Sequence, residues 1–523
     1  SRVKRIVAKE DAEAGSVFGF QVISERRPFF HQSTWFFQES APVISSRFTL
    51  ILPTGWVAKG LTFNHSNVEP TLSGTTYTWE LRDLPPLQDE PASPTLMNLA
   101  PRVAVKYFPS EGTRNPGVRA FESWNDVSRW YSELSDPQAT PDQRIVDKAR
   151  ELTANAKTEL EKIRAVGRYV QNIQYISVQI GVGRWRPHAA TEVMAKSYGD
   201  CKDKANLLRA MLKVLKIDSY PVLIFSGDPT FVRETWVSPG QFNHCIIAIK
   251  VSDETKAATV INHPKLERLL IFDATDDQTP VGDLPDHEQG SYALIAAGDS
   301  GSLEKMPETM PEENNLLRAI EATLSPDGSL SATITEQSLG QLAVAYRREF
   351  RSLSRPQYVK AIEKRVTQGV TAANVTTVEP VDNVDDGKFD LKIGFSAKAY
   401  AQLMQSRLLV FNAAIVSRRE SLFLTEPSRK HPIVLDSHAF TETVHVKLPQ
   451  GFQVDELPDA VKLDTSFGSY KTSYQVKDGE LVFVRTLAQR AVTIPADQYQ
   501  AVRSFFEKIR AAEQSPVVLA KQK

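Results

Sequence analysis

One cysteine of the sequence stands where a helix is predicted to begin. Residues 197–206 read SYGDCKDKAN, in which Asp200 can cap a helix and Asp203, three residues later, completes a capping box. This spacing predicts that Cys201 occupies the first helical position. The amide groups and the positive dipole potential of a helix N-terminus favour the thiolate, which is the nucleophilic form of cysteine. Gly199, ahead of the cap, would permit close approach of a substrate backbone.

The alternative for Cys201 is a purely structural role in core packing, because free cysteines are among the most buried residues. The rest of the sequence therefore has to supply partners for a nucleophile. A reactive thiol needs a base that takes its proton and a group that orients that base.

A histidine and an aspartate follow at the ends of two predicted strands. Residues 242–246 read FNHCI, an alternating pattern in which His244 and Cys245 point to opposite faces. We expect His244 to face the helix of Cys201 and Cys245 to lie in the core. Asp273 closes the apolar strand LLIFD, where it could cap a turn or accept a hydrogen bond from His244. Antiparallel pairing of the two strands would bring Asp273 beside His244.

Composition and length limit the classes to which the protein can belong. The chain has 523 residues, enough for about three domains of roughly 150 residues each. Its 62 basic and 63 acidic residues leave a net charge of −1, which does not fit a nucleic-acid-binding protein. No apolar run is long enough for a transmembrane helix, and the first ten residues lack the apolar region of a signal peptide. Two cysteines exclude a disulfide framework.

Three regions that differ in hydrophobic period must position these residues. Residues 1–115 carry alternating runs such as RFTLILP and TYTWEL, which predict an N-terminal antiparallel β-sandwich. Residues 116–300 show helices followed by strands, which predicts an α+β domain. In residues 301–523 strand patterns return, with a helical insert at about 341–366 and a terminal amphipathic helix. The tryptophans of the first region are expected in its core: Trp35, Trp56 and Trp79.

Two further clusters could be read as metal sites, and we predict neither. An acidic group after the third strand lacks the spacing of an EF-hand and is better suited to turns, namely Asp273, Asp276, Asp277 and Asp283. A zinc set would need side chains from opposite faces of one strand, namely His188, Cys201, His244 and Cys245. No metal and no cofactor are therefore predicted.

The order of the cysteine, histidine and aspartate, together with the sequence around them, resembles the transglutaminase-like superfamily. The matching stretches include FNHCIIAI, LLIFDATDDQTPVGDLP and a long segment around YGDCKDKA, which is the most specific piece. The chain looks like bacterial proteins that join an N-terminal β domain of unknown function to a transglutaminase-like core. The resemblance covers nearly the whole chain, and it implies a papain-like α+β core flanked by N-terminal and C-terminal antiparallel β-sandwich domains.

The resemblance also implies a chemistry. Cys201 would be the nucleophile, His244 the general base and acid, and Asp273 the residue that orients His244. The expected reaction is acyl transfer from a peptide bond or a glutamine side chain through a thioester, completed by water or by an amine. The expected substrate is a protein or a peptide. The backbone amide of Cys201 is an expected oxyanion donor, and Gln179 and Trp185 are candidates for a second.

Location in the periplasm or at the cell surface is expected from the same resemblance. The competing function is a catalytically inactive transglutaminase-like core within a scaffold or binding protein of the cell envelope. The two hypotheses predict different geometry. An enzyme requires Cys201 within hydrogen-bond reach of His244 beside a groove, whereas a scaffold predicts an obstructed cysteine.

Overall fold

The N-terminal region consists of two small antiparallel sheets. The computed structural model describes residues 13, 15–25, 28–110, 120–177, 181–418 and 422–522. The first elements are β1 (Gln32–Phe36), β2 (Val43–Ile51), β3 (Trp56–Phe63), β4 (Thr71–Ser73), β5 (Thr76–Leu84), α1 (Leu96–Leu99) and β6 (Arg102–Pro109). The sheets are ordered β1-β6-β3 and β2-β5-β4, and they share a core around Trp79 and Val103. Trp35 is 38% exposed on an edge strand, so its expected burial was wrong.

Well-capped helices form one layer of the central domain. They are α2 (Trp124–Ser135), α3 (Gln143–Thr153), α4 (Glu159–Gln171), α5 (Ala190–Lys196) and α6 (Cys201–Val214). Capping boxes open α2, α4 and α6. The predicted apolar stripe of α4 is buried at Ile163, Val166 and Val170, and it packs in one core with α6 and the sheet.

An antiparallel sheet forms the second layer of the central domain. Its strands are β9 (Ser219–Ile224), β10 (His244–Lys250), β11 (Val260–His263), β12 (Glu267–Phe272), β13 (Tyr292–Ile295) and β14 (Ser302–Lys305), in the order β11-β12-β10-β9-β13-β14. The strand that begins at His244 is thus the antiparallel neighbour of the strand that precedes Asp273. A separate parallel pair joins β7 (Gln174–Tyr175) to β8 (Tyr198–Gly199).

The C-terminal region is a larger β domain with helices packed against it. Its helices are α7 (Gly340–Ser352), α8 (Arg355–Gly369) and α9 (Tyr499–Gln514), so the predicted single insert is two helices. Its strands are β15 (Asn315–Leu324), β16 (Leu330–Leu339), β17 (Asn374–Asn383), β18 (Lys388–Ala397), β19 (Gln402–Met404), β20 (Leu408–Asn412), β21 (Ile433–Leu435), β22 (His438–Lys447), β23 (Phe452–Glu456), β24 (Lys462–Asp464), β25 (Gly468–Lys477), β26 (Glu480–Gln489), β27 (Val492–Ile494) and β28 (Pro516–Lys521). No helix among the described residues is long and apolar enough to cross a membrane.

Two sheets and one internal ion network hold this domain together. The eight-stranded sheet β17-β18-β16-β15-β22-β26-β25-β24 is antiparallel except for the parallel pair β15 and β22, and the second sheet is β19-β20-β28-β23. Glu442, fully buried, lies 3.0 Å from Arg318 and 2.8 Å from Arg485. Buried charges of this kind are tolerated only when they are paired. The fold as a whole is multidomain, with antiparallel sheets on both sides of an α+β core.

Candidate active site

Cys201 is the first residue of α6, as its spacing predicted. The Asp200 side chain accepts a hydrogen bond from the Asp203 amide, and the Asp203 carboxylate accepts one from the Asp200 amide at 3.2 Å. Gly199, in the strand before the cap, leaves room for the first turn of α6, because a Cβ there would lie 2.6 Å from Cβ of Asp203. The expected approach of a substrate backbone at Gly199 stays a prediction.

A lysine inside the core fixes the segment that lies beside Cys201. Lys204 is 1% exposed, and its Nζ donates to the backbone carbonyls of Gln171 and Ile173 at 3.0 Å each. Burial lowers the pKa of Lys204. These bonds anchor the chain that leaves α4, just before it forms β7. The lysine thus holds β7 against the start of the cysteine helix.

Tyr175 reaches the cysteine from this anchored segment. The parallel pairing places Tyr175 opposite Gly199, and the amide of Ile176 donates to the Gly199 carbonyl at 3.0 Å. The phenol of Tyr175 lies near the side chain of Cys201, and burial together with the Cys201 charge raises the pKa of Tyr175 to about 12. Tyr175 is therefore a neutral hydroxyl beside the sulfur. Sequence reasoning missed it, because its position depends on a two-residue strand.

His244 lies between Cys201 and Asp273. Its Nε2 is 3.2 Å from Oδ2 of Asp273, and the Cys201 side chain is near enough to the imidazole to contribute to its raised pKa. Because Nε2 faces the carboxylate, Nδ1 is the ring nitrogen left for the thiol. Burial disfavours the imidazolium, but the charge and hydrogen bond of Asp273 outweigh burial and raise the pKa of His244 well above its ordinary value. The imidazolium form is thus favoured at neutral pH.

Asp273 is held in place by the turn that follows β12. It is 3% exposed, and Thr275 donates to it from the backbone amide at 2.7 Å and from the hydroxyl at 2.8 Å. Burial opposes ionisation, yet the His244 charge and the Thr275 hydrogen bonds lower the pKa of Asp273. The carboxylate is therefore an oriented acceptor for the imidazole. The structure brings all three predicted site residues together.

Glu288 is a fourth member of the cluster that the sequence did not reveal. Its side chain is fully buried, and Oε1 lies 3.4 Å from Nε2 of His244. Neither of its oxygens accepts a hydrogen bond from a described donor. Burial, followed by the charge of Asp273, raises the pKa of Glu288 well above its ordinary value. As a neutral acid, Glu288 can donate its proton to Asp273, and the two carboxyl groups then share one negative charge.

Cys245 is buried, as predicted, but it is not remote from the site. It is 4% exposed and receives a hydrogen bond from the Tyr131 hydroxyl at 3.6 Å. Burial, together with the charge of Cys201, raises the pKa of Cys245 to about 12, so this thiol stays protonated. Cys245 nevertheless contributes to the same cavity wall as His244. The expectation that the two side chains serve separate sides of the strand was therefore wrong, because the cavity extends around the start of β10.

A cavity of about 330 Å³ adjoins Cys201 and His244; we call it the Cys201 cavity. Such a volume suits a small ligand or a short peptide segment. Its wall includes residues of the N-terminal strands β1, β3 and β6 as well as the central domain. Trp185 lines the cavity, and its ring centre lies 5.5 Å from the ring centres of both Phe30 and Trp130, which supports a packing role. The other candidate oxyanion donor, Gln179, lies outside the described residues.

Two groups of side chains have the donor atoms for a cation. One is His244 with Asp273 and Glu288, whose ligand atoms lie within 4.8 Å of one another, and it coincides with the cluster at the cysteine. A cation there would compete with the hydrogen bond between His244 and Asp273. The second group is on the C-terminal sheet and is more exposed: Glu321, His445 and Glu480. Asp276, from the acidic run, accepts from the Gln278 amide and the Thr279 hydroxyl, as expected for a turn residue.

Comparisons with known proteins identify the family of the central segment and a shared fold. Residues 146–254 match the transglutaminase-like superfamily, and residues 406–519 match a domain of unknown function with a solved structure. The chain is similar to a protein of Parabacteroides distasonis that is provisionally described as a protease, with 11% identity and a TM-score of 0.57 over 95% of this chain and 76% of that chain. A protein of Cytophaga hutchinsonii, provisionally described as a cysteine protease, is 12% identical with a TM-score of 0.22 over 52% of this chain and 84% of that chain. No curated protein matches the sequence.

The family match covers part of the candidate site. The segment that matches the superfamily contains Cys201 and His244, and it ends before Asp273 and Glu288. At 11% identity, the Parabacteroides structure shows a shared fold only. The central domain is transglutaminase-like, and the chemistry has to be argued from the side chains.

Proposed function

We propose that this chain, which is built around a transglutaminase-like core, is a cysteine-dependent enzyme that transfers an acyl group from an amide through a thioester. The observation that carries the proposal is that Cys201 and His244 line one open cavity, with His244 hydrogen-bonded to Asp273 at 3.2 Å. The raised pKa of His244 supports an imidazolium beside the sulfur, and a positive neighbour favours a nucleophilic cysteine. A catalytically inactive scaffold would need neither the hydrogen bond between His244 and Asp273 nor the cavity beside Cys201.

The proposed reaction proceeds in two halves. The Cys201 thiolate attacks the carbonyl carbon of a peptide bond or a glutamine side chain, and the carbonyl oxygen becomes an oxyanion. As the carbon–nitrogen bond breaks, His244 gives its proton to the departing amine, which leaves a thioester on Cys201. His244 then takes a proton from water or from an acceptor amine. The attack of that nucleophile releases the acid or the new amide and regenerates the thiolate.

Two donors near the sulfur are suited to stabilise the oxyanion. One is the backbone amide of Cys201, which belongs to the first turn of α6 and has no carbonyl partner within the helix. The other is the Tyr175 hydroxyl, which stays protonated near Cys201 and can donate to the neighbouring oxygen. Asp273 and Glu288 act through His244 and are positioning residues.

Selective alkylation of Cys201 tests the proposal. We expect iodoacetamide at pH 6 to alkylate Cys201 at least tenfold faster than free glutathione, because glutathione is almost entirely protonated at that pH. His244→Gln should reduce the rate to that of an ordinary thiol or below. Peptide mapping by mass spectrometry locates the label, and Cys245→Ser is the matched control that should keep the wild-type rate. A wild-type Cys201 that reacts no faster than glutathione contradicts the proposal.

A second measurement separates hydrolysis from transfer. A mixture of peptides that contain glutamine is incubated with the protein, with and without an added primary amine. Mass spectrometry then gives the masses of the products. A protease yields two fragments whose masses add up to the substrate plus one water, and an amidase yields the acid in which water has replaced the lost ammonia. A cross-linking enzyme yields the amine adduct. Both products should be absent with Cys201→Ala.

A further inference from the structure

Arg102 is a buried cation that faces the Cys201 cavity from the N-terminal domain. It is the first residue of β6, it is 3% exposed, and it lines the cavity. A buried charge is costly unless an opposite charge accompanies it. In the described part of the chain, Arg102 has no ion pair, and its hydrogen bonds go to the carbonyls of Met97 at 3.3 Å and Phe231 at 3.4 Å.

The surroundings of Arg102 stabilise its charge without neutralising it. Its guanidinium carbon lies 5.1 Å from the ring centre of Phe63 and 4.7 Å from that of Phe231, which is a cation–π arrangement. Burial, followed by the charge of Arg233, lowers the pKa of Arg102 to about 10, so the side chain remains charged at neutral pH.

The nearest carboxylate to Arg102 is already occupied. Both oxygens of Asp228 accept hydrogen bonds: Oδ2 accepts from the amide and hydroxyl of Thr95, and Oδ1 from the amide and hydroxyl of Thr230. The charge of Asp228 thus offsets part of the Arg102 charge without a hydrogen bond between them, and a carboxylate that enters the cavity can be the direct partner of the guanidinium.

The rest of the cavity wall also carries positively charged side chains. Lys202, 5% exposed and paired with Asp200, also lines it, and the exposed Arg184 lies at its edge. No aspartate or glutamate is among the described residues of the wall, which also carries several aromatic side chains: Phe36, Phe63, Trp185, Phe225, Phe231 and Trp236. An aromatic wall with cations and no carboxylates favours an anion that is attached to an apolar group.

From this arrangement we infer that the Cys201 cavity is selective for substrates that carry a carboxylate close to the reacting amide, with Arg102 as the residue that binds it. A round cavity of 330 Å³ is about 9 Å across, a distance that two or three extended residues span. The carboxylate is therefore an acidic side chain or a chain terminus within about two residues of the bond that is cleaved. This inference rests on the proposed function, since it specifies the substrate of the same cysteine.

Two matched pairs of probes distinguish the sources of the carboxylate. The first pair is the chloromethyl ketones of acetyl-glutamate and acetyl-glutamine, in which the Cys201 thiolate displaces chloride and forms a thioether. The second pair is acetyl-phenylalanine and its amide, used to protect Cys201 against iodoacetamide. Rates and protection are measured by intact-protein mass spectrometry on the whole chain. An Arg–carboxylate contact should favour the acid of at least one pair by about tenfold to a hundredfold.

Arg102→Met is the decisive variant, because methionine keeps a long, unbranched side chain at this position and removes the positive charge. We expect it to bring the acid-to-amide ratio to within twofold of one. Arg102→Lys should keep part of the preference. Arg82→Met, which removes an exposed charge outside the cavity, is the control that should keep it all.

The possible failures can be told apart. If Cys201 reacts no faster than glutathione with every probe, the proposed function fails. If Cys201 is reactive but the wild-type ratio is one for both pairs, the carboxylate site fails and the proposed function stands. A preference for the acid that survives in Arg102→Met overturns the role of Arg102. Equal melting temperatures for Arg102→Met and the wild type exclude misfolding as the cause of a lost preference.

Discussion

Glu288→Gln is the substitution that tests the electrostatics of the candidate site most directly. The structure implies that Glu288 is a neutral acid, because it is fully buried beside the ionised Asp273 and its pKa is raised well above the ordinary value. Glutamine has nearly the same shape and the same net charge as a protonated glutamate. Its amide can donate to Asp273 as the acid does. We therefore expect Glu288→Gln to retain kcat/KM within about threefold at pH 7, a change of less than 1 kcal/mol.

The opposite charge state predicts a very different result. An ionised Glu288 would place a negative charge 3.4 Å from Nε2 of His244. At an effective dielectric constant of about 20, that charge would stabilise the imidazolium by about 5 kcal/mol. Its removal would lower the pKa of His244 by about three units or more, and the thiolate–imidazolium pair would be lost at neutral pH. The assay is the pH profile of iodoacetamide alkylation and of kcat/KM between pH 4 and 9. A thousandfold loss in Glu288→Gln refutes the neutral acid.

The same substitution has a signature in stability. Glutamate in the unfolded chain ionises above pH about 4.5, whereas native Glu288 keeps its proton, so unfolding releases a proton. The wild type should therefore lose stability relative to Glu288→Gln as pH rises from about 4.5 toward the native pKa, by at most about 1.4 kcal/mol per pH unit. Urea unfolding of both proteins at pH 5, 6, 7 and 8 measures this difference. A stability difference that does not vary with pH contradicts the shifted pKa of Glu288.

Three further predictions concern other parts of the molecule. Gly199→Ala places a Cβ 2.6 Å from Cβ of Asp203 and should therefore shift the start of α6. We expect kcat/KM to fall by about a hundredfold while the circular dichroism spectrum stays unchanged. Wild-type activity in this variant contradicts the prediction. Tyr175→Phe should lower kcat by about a hundredfold while iodoacetamide alkylation stays within threefold, because alkylation forms no oxyanion; equal losses in both assays refute the donor role. Glu442→Gln leaves Arg318 and Arg485 without a shared carboxylate. We expect the free energy of unfolding of the C-terminal domain, measured with urea, to fall by about 3 kcal/mol. An unchanged urea midpoint would show that the ion network is dispensable.

Local patterns predicted the parts of the site that depend on short-range structure. The capping residues Asp200 and Asp203 located the start of α6 to the residue, because a helix N-terminus is determined by neighbours three positions apart. The alternating and apolar runs located the strands that carry His244 and Asp273. The sequence left their antiparallel pairing as a condition, and the sheet meets it by placing β11 at the edge, so that β12 lies beside β10.

The remaining site residues could not be predicted because long-range packing places them. Glu288 lies in a turn with no hydrophobic period, and only the return of the chain to β13 brings it to His244. Arg102 sits in an ordinary strand of another domain, and only the contact between domains turns it toward the cavity. The parallel pairing of β15 with β22 joins segments more than a hundred residues apart, which no local pattern encodes.

The N-terminal and central domains share the wall of the Cys201 cavity, whereas the nucleophile belongs to the central domain alone. Residues of β1, β3 and β6 face Cys201, yet each domain has its own hydrophobic core. Mutations in the N-terminal strands can therefore remodel the cavity without entering the interior that sets the distances among Cys201, His244 and Asp273. Over evolutionary time, an architecture of this kind lets substrate preference diverge rapidly among paralogues while the reaction itself is inherited unchanged.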